Sequence, residues 1–174
     1  MMLRRVLILA TTLILIALSV FVITAQDDTL VTLTILHTND THSHHEGDSD
    51  GGGAARMATV INQVRAEEDN VILLDGGDRF TGTLFHTVYL GQDNVRIMNL
   101  MEYDAMALGN HEFDNGDEVL ADFVSGVNFP VLAANIDFSA SPILSDIGIE
   151  QYTIVDVNGV QVGVIGLTLS LIHI

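Results

Sequence analysis

The chain has 174 residues, 48% of them hydrophobic, which is enough for one domain with a buried core. It contains no cysteine, so disulfides, thiolate metal sites and a cysteine nucleophile are excluded, and any metal must bind through His, Asp, Glu or Asn. The formal net charge is -17 and lysine is absent, which argues against a nucleic-acid duplex as partner because backbone phosphates are held by clustered Lys and Arg.

The first 25 residues read as an export segment. Arg4 and Arg5 form a short basic start, Val6 to Ile23 is an uncharged apolar run, and Ala25 precedes the polar Gln26-Asp27-Asp28. The expectation is a signal peptide cut after Ala25, with an uncleaved N-terminal membrane anchor as the alternative, since the run is just long enough to span a bilayer. Both place the remainder outside the cytoplasm. That remainder carries four basic residues, Arg56, Arg65, Arg79 and Arg96, so its surface is strongly acidic. A bound divalent cation would reverse the local sign and still admit an anionic substrate.

After the export segment, strands and helices alternate. Leu30 to Leu36 alternates Val31, Leu33 and Ile35 with threonines and reads as a buried strand. His45 to Gly53 is a polar, glycine-rich loop. Met57, Val60, Ile61 and Val64 recur at helical spacing, which predicts a helix over Gly53–Glu67. Val71 to Leu74 is a second strand, a helix carrying Ile97, Met98 and Met101 starts near Asp93, and Ala105 to Leu108 is a third strand. A further helix runs from Asp117, read as its N-cap, through Val119, Leu120, Phe123 and Val124, and Pro130 opens a fourth strand at Val131–Ala134. This order predicts an α/β domain with parallel strands. Tyr152–Val157 and Val160–Leu167 flank Asn158-Gly159, a pair suited to the positive φ angles of a tight hairpin turn, so a mixed sheet is expected. The chain ends directly after this hairpin, which reads as a domain whose C-terminal part is missing, with 30–174 its N-terminal part.

Three polar motifs follow three of these strands, where α/β folds place their active sites. Asp40 and His42 stand two apart on an extended segment, so a carboxylate and an imidazole point the same way and can grip one cation, although Asp-x-His is also ordinary turn chemistry. His37, His44 and His45 crowd the same loop and read as exposed loop histidines, His44 being the best candidate for more. Asp78 follows Gly76-Gly77, which allow the sharp turn that projects its carboxylate, and its two oxygens could bridge two metals. Asp75, one pleat back, reads as a loop cap through backbone hydrogen bonds. In Gly109-Asn110-His111-Glu112-Phe113-Asp114, Asn110 offers a carbonyl oxygen to a metal and His111 an acid or hydrogen-bond donor. Asp114 is spaced to orient the imidazole of His111 and to favour its protonated form. A turn with a helix cap is the plainer reading of that segment.

Taken together, Asp-x-His, Gly-Asp and Gly-Asn-His-Glu in this order resemble the calcineurin-like metallophosphoesterases. The longer segments Ile35 to His42, Leu74 to Thr83, Gly109 to Asp114, Gly52 to Arg56 and Gly163 to Thr168 resemble the secreted 5'-nucleotidase family, which includes UDP-sugar hydrolases and 2',3'-cyclic nucleotide phosphodiesterases. The resemblance implies a four-layer α/β/β/α sandwich, here incomplete, and two divalent cations such as zinc or manganese. It implies that Asp40 and His42 bind the first cation, that Asp78 bridges both, that Asn110 binds the second, and that His111 and Asp114 form the catalytic dyad. A cation-activated water would attack phosphorus in a nucleotide or other small phosphate ester. The family's remaining metal ligands come from beyond Ile174, and His173 is given no role. Cyclic nucleotide diesters, sugar nucleotides or a thiosulfate ester as substrates, and a non-catalytic fragment, remain open alternatives.

Overall fold

The computed structural model describes residues 30–47 and 51–169. The segment read as an export signal, Asp48 to Asp50 of the glycine-rich loop, and the tail from Ser170 with His173 lie outside the described residues. The chain divides into two units, Met1–Thr32 and Leu33–Ile174, and the second carries all three motifs. Among the described residues no helix is long and apolar enough to cross a membrane.

Five strands form a parallel sheet in sequential order: β1 (Thr34–Thr38), β2 (Val71–Asp75), β3 (Ala105–Ala107), β4 (Val131–Leu132) and β5 (Ile149–Glu150). Between them lie α1 (Gly53–Glu67), α2 (Leu84–Tyr89), α3 (Gln92–Met101) and α4 (Asp117–Gly126). Right-handed crossovers between sequential parallel strands place every connecting helix on the same face of the sheet. The core accordingly joins Leu73, Met106, Leu108, Val131 and Ala133 to Ile61 of α1, Met98 and Met101 of α3, and Leu120, Phe123 and Val124 of α4. Phe80, from the loop after β2, meets Phe123 edge to face at 5.3 Å and seals this layer close to the site.

Side-chain bonds tie the helices together. Arg65 in the last turn of α1 donates from Nη1 and Nη2 to the carbonyls of Met101 and Glu102, at 2.7 and 2.6 Å, so one cation satisfies orphan acceptors at the end of α3. Asn99 donates to the Gly126 carbonyl and accepts from the Asn128 N–H, which fixes α3 against the end of α4.

The hairpin, β6 (Tyr152–Val157) and β7 (Val160–Ile165), forms an antiparallel sheet of its own. The expected mixed sheet thus resolves into two unmixed ones. The reason is a corner at Gln151: β5 pairs with β4 as far as Glu150, and from Tyr152 the chain leaves that sheet for the second. The second sheet is fastened across the helix-free face of the first, where Ala134 donates to the Gly166 carbonyl and Gly166 lies so close to Leu132 that an added Cβ would fall 2.5 Å from its Cβ. Helices, parallel sheet and hairpin make three layers of the expected four among the described residues.

Four other details depart from the sequence reading. The first strand, read as buried over Leu30 to Leu36, starts at Thr34 and keeps Leu36 against the core, whereas Ile35 is 58% exposed. The N-cap of α4 is Gly116, with φ +84, and Asp117 is the first helical residue, its carboxylate accepting from Ser141 Oγ at 2.5 Å. Helix α2 lacks an apolar stripe, since Leu84 and Val88 face outward, and β5 is two residues long; neither leaves a periodic signal.

Replacing Phe123, fully buried, by alanine is expected to cost about 3–5 kcal/mol in urea denaturation. The same truncation at Leu100, 77% exposed on α3, should stay within about 0.5 kcal/mol.

Candidate metal centre

The loops after β1, β2 and β3 meet at the C-terminal edge of the parallel sheet, and backbone hydrogen bonds dock them directly. Asp40 N–H donates to the Gly77 carbonyl at 3.0 Å and His42 N–H to the Asp78 carbonyl at 3.1 Å, so the first two motifs lie side by side. The second and third interlock more tightly. A Cβ on Gly77, where φ is +96, would sit 2.2 Å from the Gly109 nitrogen, and a Cβ on Gly109 would sit 2.2 Å from Asp78 Oδ1. Only hydrogen fits at either place.

Glu112 holds this crossing. Its carboxylate is wholly buried and accepts the N–H groups of Arg79 at 2.7 Å, Gly109 at 2.7 Å and Asp78 at 3.0 Å. Burial pushes the Glu112 carboxyl up from its ordinary range, and those three N–H groups oppose the rise. His111 N–H in turn donates to Asp78 Oδ1 at 2.9 Å, which aims the Asp78 carboxylate and leaves its other oxygen without a protein donor among the described residues.

Below the loops Arg79 is 1% exposed and pairs with Asp75. Its Nη2 also donates to Thr38 Oγ1 at 2.8 Å and to the Tyr103 hydroxyl at 2.6 Å, and its Nη1 to Thr41 Oγ1 at 3.1 Å. Asp75 Oδ1 meanwhile accepts the Gly77 N–H, the loop-capping role read from sequence. The Arg79 carbonyl accepts from Asn94 Nδ2 and from Ser43 Oγ. One arginine therefore binds the β1 loop, the β2 loop and α3 together.

Backbone strain collects at the same place. Of the eight non-glycine residues with positive φ among the described residues, Asp40, His42, Ser43, Asp78 and Thr81 belong to these loops. Such conformations cost roughly 1–3 kcal/mol each and persist where surrounding contacts over-determine them.

The side chains converge above this base. One ligand atom each from His42, Asp78 and His111 lie within 4.8 Å of one another. His42 Nδ1 donates to the Phe80 carbonyl at 2.9 Å, so its Nε2 keeps a free lone pair, 4.0 Å from Asp40 Oδ1. Asn110 is half-buried and its amide makes no hydrogen bond among the described residues. His111 Nδ1 lies 2.7 Å from Asp114 Oδ2, the contact expected from their spacing. That hydrogen bond, with the charges of Asp114, Asp78 and Glu112, holds His111 above the usual histidine range against the opposing effect of partial burial. The His42 and His111 rings stand edge to face, 5.0 Å between centroids. Imidazole nitrogen and carboxylate oxygen within this span, with lone pairs left free on His42 Nε2 and Asp78, fit a divalent cation.

Of the other loop histidines, His44 is exposed and donates from Nδ1 to the Thr41 carbonyl. His45 departs from the reading as an exposed loop residue: its Nε2 lies 2.7 Å from Asp93 Oδ2 on α3, and both side chains are largely buried. The sequence reading gave no role to Glu112, Arg79, Asn94 or Tyr103. The available signals were slight: an acid between His111 and Phe113, and an arginine directly after Gly-Asp in a chain without lysine.

The Calcineurin-like phosphoesterase model matches residues 33–171. The chain belongs to the calcineurin-like phosphoesterase family. A 5'-nucleotidase of Rattus norvegicus is 47% identical over 150 residues, covering 78% of this chain and 26% of the relative. A trifunctional nucleotide phosphoesterase, YfkN, of Bacillus subtilis is 41% identical over 171 residues, covering 81% and 11%. The crystal structure of a 5'-nucleotidase precursor from Thermus thermophilus superposes with a TM-score of 0.75 at 44% identity, covering 79% of this chain and 29% of that one. This calcineurin-like domain thus spans about a quarter of the length of the 5'-nucleotidases it is similar to.

Two outcomes follow for the frame of the site. Glu112→Gln replaces one acceptor oxygen by a donor facing backbone N–H groups, and is expected to cost about 1–3 kcal/mol in chemical denaturation. Burial alone would raise Asp93, but its bond to His45 and the charge of that partner hold its carboxyl below the usual range. A depressed folded pKa contributes stability above the unfolded value, about 3.9, and loses it as pH falls through the folded value. Asp93→Asn should therefore melt lower than the parent at neutral pH, with the gap closing below about pH 4; a gap independent of pH would contradict this pairing.

Proposed function

We propose that this protein is an exported phosphohydrolase of the 5'-nucleotidase type, acting on nucleotide phosphate esters with two divalent cations. The observation that carries the reading is the convergence of His42, Asp78 and His111, with His111 held by Asp114. The similarity to 5'-nucleotidases supports the substrate class, and Arg4-Arg5 followed by the apolar Val6 to Ile23 supports export.

In this reading Asp40 and His42 would hold one cation, Asn110 the other, and Asp78 both. When bound, the cations lower the pKa of water and neutralise charge on the phosphoryl group. The protein's own residues supply the rest. His42 is locked in the tautomer with its proton on Nδ1 by the Phe80 carbonyl, which presents Nε2 to the site. His111, whose protonated form Asp114 favours, donates a hydrogen bond to the phosphoryl group and a proton to the leaving oxygen. The strained loops pre-form this geometry, so the ligands need little rearrangement.

His111→Ala is expected to lower kcat for phosphate release from a nucleoside monophosphate by about 10²–10⁴-fold. Asp78→Asn should abolish the cation-dependent part, and a chelator should do the same to the parent until zinc or manganese is restored. Cation-dependent turnover that survives both substitutions would sink the assignment.

A further inference from the structure

His86 lies on α2, outside the three motifs, and is 4% exposed. Its ring packs 4.8 Å from the ring of Phe80, and its Nε2 lies 2.7 Å from the side-chain oxygen of Asn115. An amide oxygen only accepts, so Nε2 carries the proton. The other nitrogen, Nδ1, is buried with no hydrogen-bond partner among the described residues. A half-satisfied polar ring in an apolar bed costs stability compared with a phenylalanine of the same shape. Its single bond goes to an exposed asparagine that water would satisfy equally well. Nothing in folding energetics favours histidine here.

Asn115 follows Asp114, the residue that holds His111. The turn around Asp114 is closed by long backbone bonds, Asp114 N–H to the His111 carbonyl and Gly116 N–H to the Phe113 carbonyl at 3.2 Å and Phe113 N–H to the Asn110 carbonyl at 3.3 Å, beside the His111–Asp114 side-chain bond. Beside it opens a cavity of about 590 Å³, lined by Thr81, Thr83, Thr87, Asp114 and Asn115, with His86 reaching Asn115 at its edge. The same imidazole rests on Phe80, whose carbonyl orients His42.

We propose that His86 is a positioning residue: through Asn115 it holds Asp114 and so the orientation of the His111 ring. The inference rests on reading His111 and Asp114 as a catalytic pair, but its test needs no turnover. In the metal-free, ¹⁵N-labelled chain, ring nitrogen shifts of neutral His111 report which nitrogen carries the proton. The parent should show the Nδ1–H form that Asp114 selects. His86→Phe should lose that preference in favour of the Nε2–H form common to free imidazoles, while melting at the parent's temperature or above. His86→Gln, which can still donate to Asn115, should restore it. Asn115→Ala, a surface change, should reproduce the loss should His86→Phe fail to fold. An unchanged His111 tautomer in His86→Phe, or in Asn115→Ala where the first variant does not fold, would overturn the proposal and leave the phosphohydrolase reading standing. Failure of turnover with the tautomer behaving as expected would do the reverse.

Discussion

A single carboxylate, that of Glu112, accepts backbone N–H groups from both sides of the crossing between the β2 and β3 loops. Those N–H groups belong to Asp78, Arg79 and Gly109, residues that the tight turns leave without secondary-structure partners. An unpaired buried N–H costs about as much as a lost hydrogen bond, so the crossing is stable only with an acceptor placed there. The acceptor must be compact and must receive on two oxygens, which a carboxylate does. Once it is in place, Asp78 and His111 are brought within reach of one another, and the geometry of the site follows.

The second constraint is charge. Arg79 is buried under a cluster of carboxylates and imidazoles, and a buried ion repays its desolvation only through close pairing and hydrogen bonding. Asp75, Thr38, Thr41 and Tyr103 accept from its two terminal nitrogens while Nε has no partner among the described residues, and the Tyr103 ring adds a face 5.0 Å from the guanidinium carbon. The Thr38 hydroxyl donates to Asp75, so it can accept from Arg79 and Tyr103 at the same time. The result is rigid support under loops whose strained φ angles would relax in a softer setting.

Much of the arrangement was legible in the residues. The limits of α1, the course of α3 and α4, and the hairpin on Asn158-Gly159 follow from periodicity and turn chemistry that act within a few residues. The His111 and Asp114 contact was legible for the same reason, three residues on a tight turn. What was not legible depends on distance along the chain. The separation into two sheets hinges on one corner residue, Gln151, and the inward face of β1 depends on its register with β2, which no local pattern encodes. The burial of His45 leaves no local signal because its partner, Asp93, lies on another element.

The kinds of atom available for chemistry and their order are written in the residues: imidazoles, carboxylates and an amide after three apolar strands, in a chain with neither cysteine nor lysine. Composition and local spacing suffice for that. Long-range packing sets which of these groups face one another, makes Glu112 and Arg79 the frame, and brings His86, on a helix without a recognisable stripe, to the loop of Asp114. Those facts follow from loops far apart in sequence packing closely enough that one methyl group would not fit between Gly77 and Gly109. Such closeness is a property of the fold rather than of any segment.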